Sequence, residues 1–293
     1  MLRQRFLQEI ESSSLMLHPS GFKSVDYICN AILEGKFVPE TIEQTIFSTR
    51  GEIFDGYPAE DQPSAPSNPF DKWASGSIAI IPLVGLMLKY GYWWTYGVDD
   101  IATIIRLAYE SASIDAVILK ADTPGGSTDS LFLLQEVLSD KKKPTYGFID
   151  GMCCSCGYIA FACMDKIYSI NPMAQVGGIG VLARLLVPNE KVADYKVVEV
   201  YPDESSQKNI EERELLKGNK EPMKEMLSKI ALNFQQFVKT NRPKISDDTL
   251  QGKTYFSYEA QPLGLIDGIR SLQQTVDELE TLVSKRKKLL STL

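Results

Sequence analysis

At 293 residues, 44% of them hydrophobic and 24% charged, the chain has material for a sizeable core in one large or two modest domains. A formal net charge of -7 excludes a protein built chiefly to hold phosphate backbones, so no nucleic-acid partner is expected. The longest apolar run, eleven residues at 78–88, is broken by Pro82 and Gly85 and is too short to cross a bilayer, and the opening MLRQRFLQEIESSS lacks a signal-peptide core; the chain reads as cytosolic.

In chain order, residues 1–56 read as a helical accessory segment, with Ile28, Ile32 and Leu33 on one helix. Residues 57–75 include YPAEDQPSAPSNP, which holds four prolines and reads as a linker. From there short apolar runs alternate with helical ones, the pattern of βαβ units, so residues 76–270 are expected to form an α/β domain with a largely parallel sheet. The expected order is a strand at 78–84, a helix with Ile101, Ile104, Ile105 and Ala108 on one face, a strand at 116–120, and a turn at 122–127. A helix marked by Leu131, Leu134 and Leu138 follows, then strands at 145–149 and 167–170, another at 196–201, and a long helix carrying Met223, Leu227, Ile230, Phe234 and Phe237. Residues 271–293 read as an amphipathic helix with Leu272, Val276, Leu279 and Val283 on one face and a cluster of cations from Lys285 to Lys288. It is either a solvated helix or a docking site for a scaffold or portal protein.

Ser155 stands out chemically. It lies in DGMCCSCGYIAF, between a buried strand and an apolar helical run, and a serine at such a corner has its hydroxyl held clear of the backbone near free N–H groups. A small-residue turn that only lets two elements pack is the competing reading. Cys153, Cys154 and Cys156 cannot all reach one ion from a short turn, and no second Cys/His group lies near, so they read as buried small hydrophobes and neither metal nor cofactor is expected. The sequence contains one histidine, His18, in the accessory segment. A Ser-His-Asp arrangement is therefore nearly excluded, and lysine is the next candidate base. Gly125 and Gly126 in DTPGGS would let backbone N–H groups turn toward a ligand, as an oxyanion hole requires, although an ordinary tight turn also explains them. Gly177-Gly178-Ile179-Gly180 lacks the following Lys-Ser/Thr of a phosphate loop.

Four phrases then fall in a recognisable order: DTPGGS, KKPTYGFIDGMCCSCGYIAFACMDKIYSINPMAQVGGIGV, YKVVEVYPDESSQKN and YEAQPLGLIDGI. Together they resemble the signal peptide peptidase A family of Ser/Lys peptidases, over roughly residues 76–270. The resemblance implies a Clp-protease/crotonase-like fold of repeated ββα units. Within the family the chain looks most similar to the phage head maturation branch typified by the lambda C protein, whose members have a lead segment with a phrase like Leu15-Met16-Leu17-His18-Pro19 and a strand phrase ending DTPGG.

Carried onto these positions, the resemblance implies Ser155 as nucleophile, Lys208 as general base fifty-three residues on, and Gly125, Gly126 and Cys156 as oxyanion-hole donors. Lys217 and Lys220 are the fallback bases. Because the base has to be uncharged, it needs an apolar pocket, which the surrounding DESSQKN does not supply; a partner protomer or the long helix would have to close over it. Where the family commonly has Gly-Ser-Ile-Gly-Val, with the serine helping to hold the amine, this chain has Gly178. The implied function is a serine endopeptidase in phage or prophage head maturation, acting in the host cytoplasm or prohead on a protein substrate such as scaffold or portal. The alternatives are a cytosolic signal-peptide or oligopeptide peptidase, and a silent assembly component. A homo-oligomer is implied, with the aromatic cluster Tyr90, Tyr92, Trp93, Trp94 and Tyr96 either in a protomer contact or along a substrate channel.

Overall fold

The structure is a computed structural model that describes residues 15–17, 27–31, 45–48, 53–55, 68–91, 96–183 and 201–292. Within these residues one mixed sheet organises the chain. Its strands are β1 (Leu15–Leu17), β2 (Thr45–Ser48), β3 (Ile53–Asp55), β4 (Ser77–Met87), β5 (Ile114–Ser127), β6 (Thr145–Cys154), β7 (Lys166–Ser169), β8 (Gln175–Gly177), β9 (Thr254–Phe256) and β10 (Gly268–Ile269). The order β10-β7-β6-β5-β4-β2-β3 runs across the sheet, with β1 added to β5 and the β8/β9 pair added to β6. The pairs linking β4, β5, β6, β7 and β10 are parallel, as is β6/β8. The pairs β1/β5, β2/β3, β2/β4 and β8/β9 are antiparallel.

The expected α/β class with a largely parallel sheet is what the chain adopts. Helix α1 (Val98–Glu110) joins β4 to β5, α2 (Thr128–Ser139) joins β5 to β6, and α3 (Cys156–Phe161) joins β6 to β7. Each buries the apolar face read from its spacing: Ile101, Ile104, Ile105 and Ala108 on α1, and Leu131, Leu134 and Leu138 on α2. The strands meeting them, such as 116–119 in β5, are buried on both faces. Beyond lie α4 (Ile210–Leu216), α5 (Glu221–Asn241), the short α6 (Ser257–Ala260) and α7 (Leu272–Leu290). On the sheet's other face, α7 seats Val276, Leu279 and Val283 against Ile78, Ile80, Ala116, Ile118, Tyr146, Phe148 and Tyr168. Glu278 on the same helix accepts hydrogen bonds from the Tyr168 hydroxyl at 2.9 Å and pairs with Arg270. This helix is a packed layer of the α/β/α arrangement, which corrects its reading as a solvated helix.

A second correction concerns DTPGGS. The sequence reads as a turn at 122–127, whereas β5 runs without interruption to Ser127. Partners on both edges hold it extended: Leu86 and Met87 of β4 lie opposite Gly125 and Gly126 on one side, and β1 on the other. Pro124, which has no N–H, falls where Val84 pairs with Asp122 and Leu86 with Gly125, so two residues of β5 face Gly85 in a bulge. The Thr123 hydroxyl donates to the Gly85 carbonyl at 2.6 Å and fixes that bulge.

Of the other expectations, the long helix, the strand at 145–149 and the short strand after it are present as α5, β6 and β7. Of residues 1–56, expected to be helical, those described form one helical stretch at 27–31, which holds Ile28, and the three strands β1, β2 and β3. Ile32, Leu33, His18, residues 57–67, residues 184–200 with most of the strand expected at 196–201, and Tyr92, Trp93 and Trp94 lie outside the described residues.

Candidate active site

Ser155 stands between the end of β6 and the start of α3, as the residue pattern requires of a corner serine. Its backbone takes φ 55° and ψ -125°, a conformation that a non-glycine residue adopts only when its surroundings impose it. Two bonds impose it here: the Ser155 N–H donates to the Gly177 carbonyl at 2.7 Å, and the Ser155 carbonyl accepts from the Ile159 N–H at 3.0 Å. One ties the residue to the end of β8 and the other to the first turn of α3. The side chain is almost wholly covered, at 3% exposure, and among the described residues its hydroxyl has no hydrogen-bond partner.

The glycine strand lies against this corner. The thiol of Cys156 donates to the carbonyls of Gly126 and Ser127, at 3.5 and 3.4 Å. The residue after Ser155 is thereby attached to the end of β5. The Cys156 N–H, at the first position of α3, has no acceptor within the helix and is available to a ligand. Gly125, at φ 101°, has its N–H held by the Thr123 hydroxyl at 3.1 Å. A side chain at 126 is impossible without moving the backbone, because a Cβ there would lie 1.7 Å from the Met87 carbonyl oxygen. The structure thus brings together four of the five residues singled out by sequence: Ser155, Cys156, Gly125 and Gly126.

The fifth stands apart. Lys208 is exposed, in the turn between a 3-10 stretch at Asp203–Ser205 and α4. Its N–H donates to Ser205, and its carbonyl accepts from the Arg213 guanidinium. The fallback bases are likewise at the surface: Lys217 pairs with Glu214 at 2.8 Å, and Lys220 precedes α5. Among the described residues no hydrogen bond or ion pair joins any of the three to Ser155.

Thr254 is a site neighbour that the sequence reading missed. A Cβ at Gly178 would lie 3.3 Å from the Thr254 Oγ1, 3.5 Å from the Ser155 nitrogen and 3.8 Å from the Cys154 Cβ. Gly178 therefore borders a threonine hydroxyl supplied by β9, seventy-six residues further along the chain. Only the antiparallel β8/β9 pair, with Gly177 opposite Thr254, brings them together. Sequence distance hid it.

The cysteines are buried, as their small size and apolar setting lead one to expect. Burial pushes the thiols of Cys154 and Cys156 up to about 12, and that of Cys153 well above its ordinary value. All three stay protonated at neutral pH, so none of them is a ready thiolate.

The fold and this corner define an α/β protein that presents a buried serine on a strained strand-to-helix junction beside a glycine-lined strand end. The model of peptidase family S49 matches residues 137–286, a little over half of the sequence, and the chain belongs to that family. Protease 4 of Haemophilus influenzae is 26% identical over 205 residues, covering 65% of this chain and 32% of that protein. A protease assigned by inference in Methanocaldococcus jannaschii is 26% identical over 180 residues, covering 59% of this chain and 57% of that one. The chain thus spans about a third of the first and somewhat over half of the second. Among solved structures, a serine-to-alanine mutant of the membrane-bound stomatin-specific protease 1510-N aligns with a TM-score of 0.46 at 14% identity, over 70% of this chain and 84% of that one. A lysine-to-alanine mutant of the same protease with a substrate peptide gives 0.44 at 14%, over 70% and 80%. Both scores are below the level at which a shared fold is inferred.

Proposed function

We propose that this chain is a serine endopeptidase. Ser155 Oγ attacks the scissile carbonyl while neutral Lys208 takes its proton; the oxyanion rests on the N–H groups of Gly126 and Cys156, whereas the N–H of Gly125, also expected as a donor, is taken by the Thr123 hydroxyl. The leaving amine takes the proton back from Lys208, and water then hydrolyses the acyl ester. The observation that carries this reading is the contact of the Cys156 thiol with the Gly126 carbonyl, which holds the strained serine against the glycine strand end.

The exposure of Lys208 supports a site completed by a second protomer. A homo-oligomer fits the exposed apolar side chains of α4 and α5, where Leu216 and Leu232 are 66% and 62% exposed. The substrate is a protein segment presented in extended form, and the setting is phage head maturation, on the strength of the motif resemblance at DTPGG and Leu15-Met16-Leu17-His18-Pro19. A catalytically silent assembly role is the second reading, favoured by Gly178 in place of a serine. Co-expression with a candidate portal or scaffold protein separates the two. The native chain should yield cleavage products that Ser155→Ala does not; identical banding from both would remove the peptidase reading.

A further inference from the structure

We infer that the Leu15–Leu17 strand lies in the lane that a substrate peptide would take past Ser155, so that the chain's own N-terminal segment closes the site. The inference rests on the peptidase reading above and adds its regulation and the form of its substrate.

The argument is one of strand edges. Each β-strand has two. At Gly125 and Gly126, β5 gives one edge to β4, through Leu86 and Met87. Across the rest of the sheet β4 and β6 lie on opposite sides of β5, so the other edge at this level is the one on the side of β6. β6 leaves that edge after Thr123 pairs with Cys153, turning instead to β8 and to the corner at Ser155. The edge so left unpaired by β6, at Gly125–Ser127, runs beside the serine corner, whose Cys156 thiol reaches the Gly126 and Ser127 carbonyls at 3.5 and 3.4 Å.

β1 occupies that edge. Leu15, Met16 and Leu17 run antiparallel along Ser127, Gly126 and Gly125, in register over all three residues. A peptide whose carbonyl is to meet both the Ser155 hydroxyl and donors near Gly126 has to pass along the same three residues, and their backbone groups are the ones it would pair with. One stretch of backbone cannot serve both chains. A substrate must therefore displace β1, and the peptide best suited to do so is extended and aliphatic, like the Leu-Met-Leu that now holds the edge.

The test is the rate at which a fluorophosphonate–rhodamine probe labels Ser155 in the full chain. Met16→Pro should label roughly tenfold faster than the native chain, as expected when a strand that closes most of the population is released. Added synthetic peptide SSSLMLHPS, the sequence of residues 12–20, should slow that variant back toward the native rate. Met16→Gly, which loosens the strand without blocking it, should fall between, and should raise amide exchange at Gly125–Ser127 in the same preparation. Native-rate labelling and unchanged exchange in variants with unaltered melting would overturn the inference while leaving the peptidase reading intact. Absence of Ser155 labelling in every chain would remove the peptidase reading and the inference with it.

Discussion

Ser155 keeps a positive φ because its N–H and carbonyl are both committed to neighbouring elements, and the residues around it tolerate change accordingly. Gly126→Ala should destabilise the protein by about 3 kcal/mol or more in urea unfolding, since the added carbon meets backbone that cannot move aside. Gly178 is different in kind. It sits at φ 64° with the Thr254 hydroxyl 3.3 Å from where a Cβ would be, so Gly178→Ser should cost about 1–2 kcal/mol in strain before any gain from its hydroxyl. The buried thiols give a pH dependence with a definite sign. Cys154 and Cys156 lose their protons near 9 when unfolded and only at about 12 when folded. The unfolded chain therefore binds fewer protons than the native one above pH 9, and stability should fall progressively from there toward pH 12. Urea midpoints that stay level across that window would show the thiols to be solvated in the native state. The serine corner was legible from residue types alone, because small residues between a strand and a helix leave few other arrangements. Thr254 was not, because its proximity depends on a pairing between strands far apart in sequence.

At the level of elements, the alternation of apolar runs and helical faces was enough to place β4, α1, β5, α2, β6 and α3, since each buries the face its spacing marks. What sequence could not supply was the context that overrides local propensity. Pro-Gly-Gly signals a turn, yet β4 on one edge and β1 on the other hold it in the sheet. The helix at 272–290 has the composition of a solvated surface element, and only the sheet face opposite shows what its apolar stripe covers. Leu279→Ala, at a fully buried position, should therefore cost about 2–4 kcal/mol, a loss readable from thermal or urea unfolding. A change within a few tenths of a kcal/mol would return α7 to the status of a loosely attached tail.

For the whole molecule, the proposed nucleophile sits at the glycine strand end and the proposed base is remote from it. The proposed mechanism needs Lys208 to be covered, and the exposed Leu216 and Leu232 on α4 and α5 are where a second protomer would do so. Leu216→Asp combined with Leu232→Asp should shift the protein to a smaller species in sedimentation and lower activity together; loss of activity with assembly unchanged would contradict that coupling. The most direct measurement is intact-mass analysis of the full chain after reaction with a fluorophosphonate, with the adduct mapped by peptide sequencing. One adduct on Ser155, absent in Ser155→Ala and formed at least about a hundredfold more slowly in Lys208→Ala, is the expected result. An adduct on another residue, or native-rate labelling of Lys208→Ala, would contradict the account.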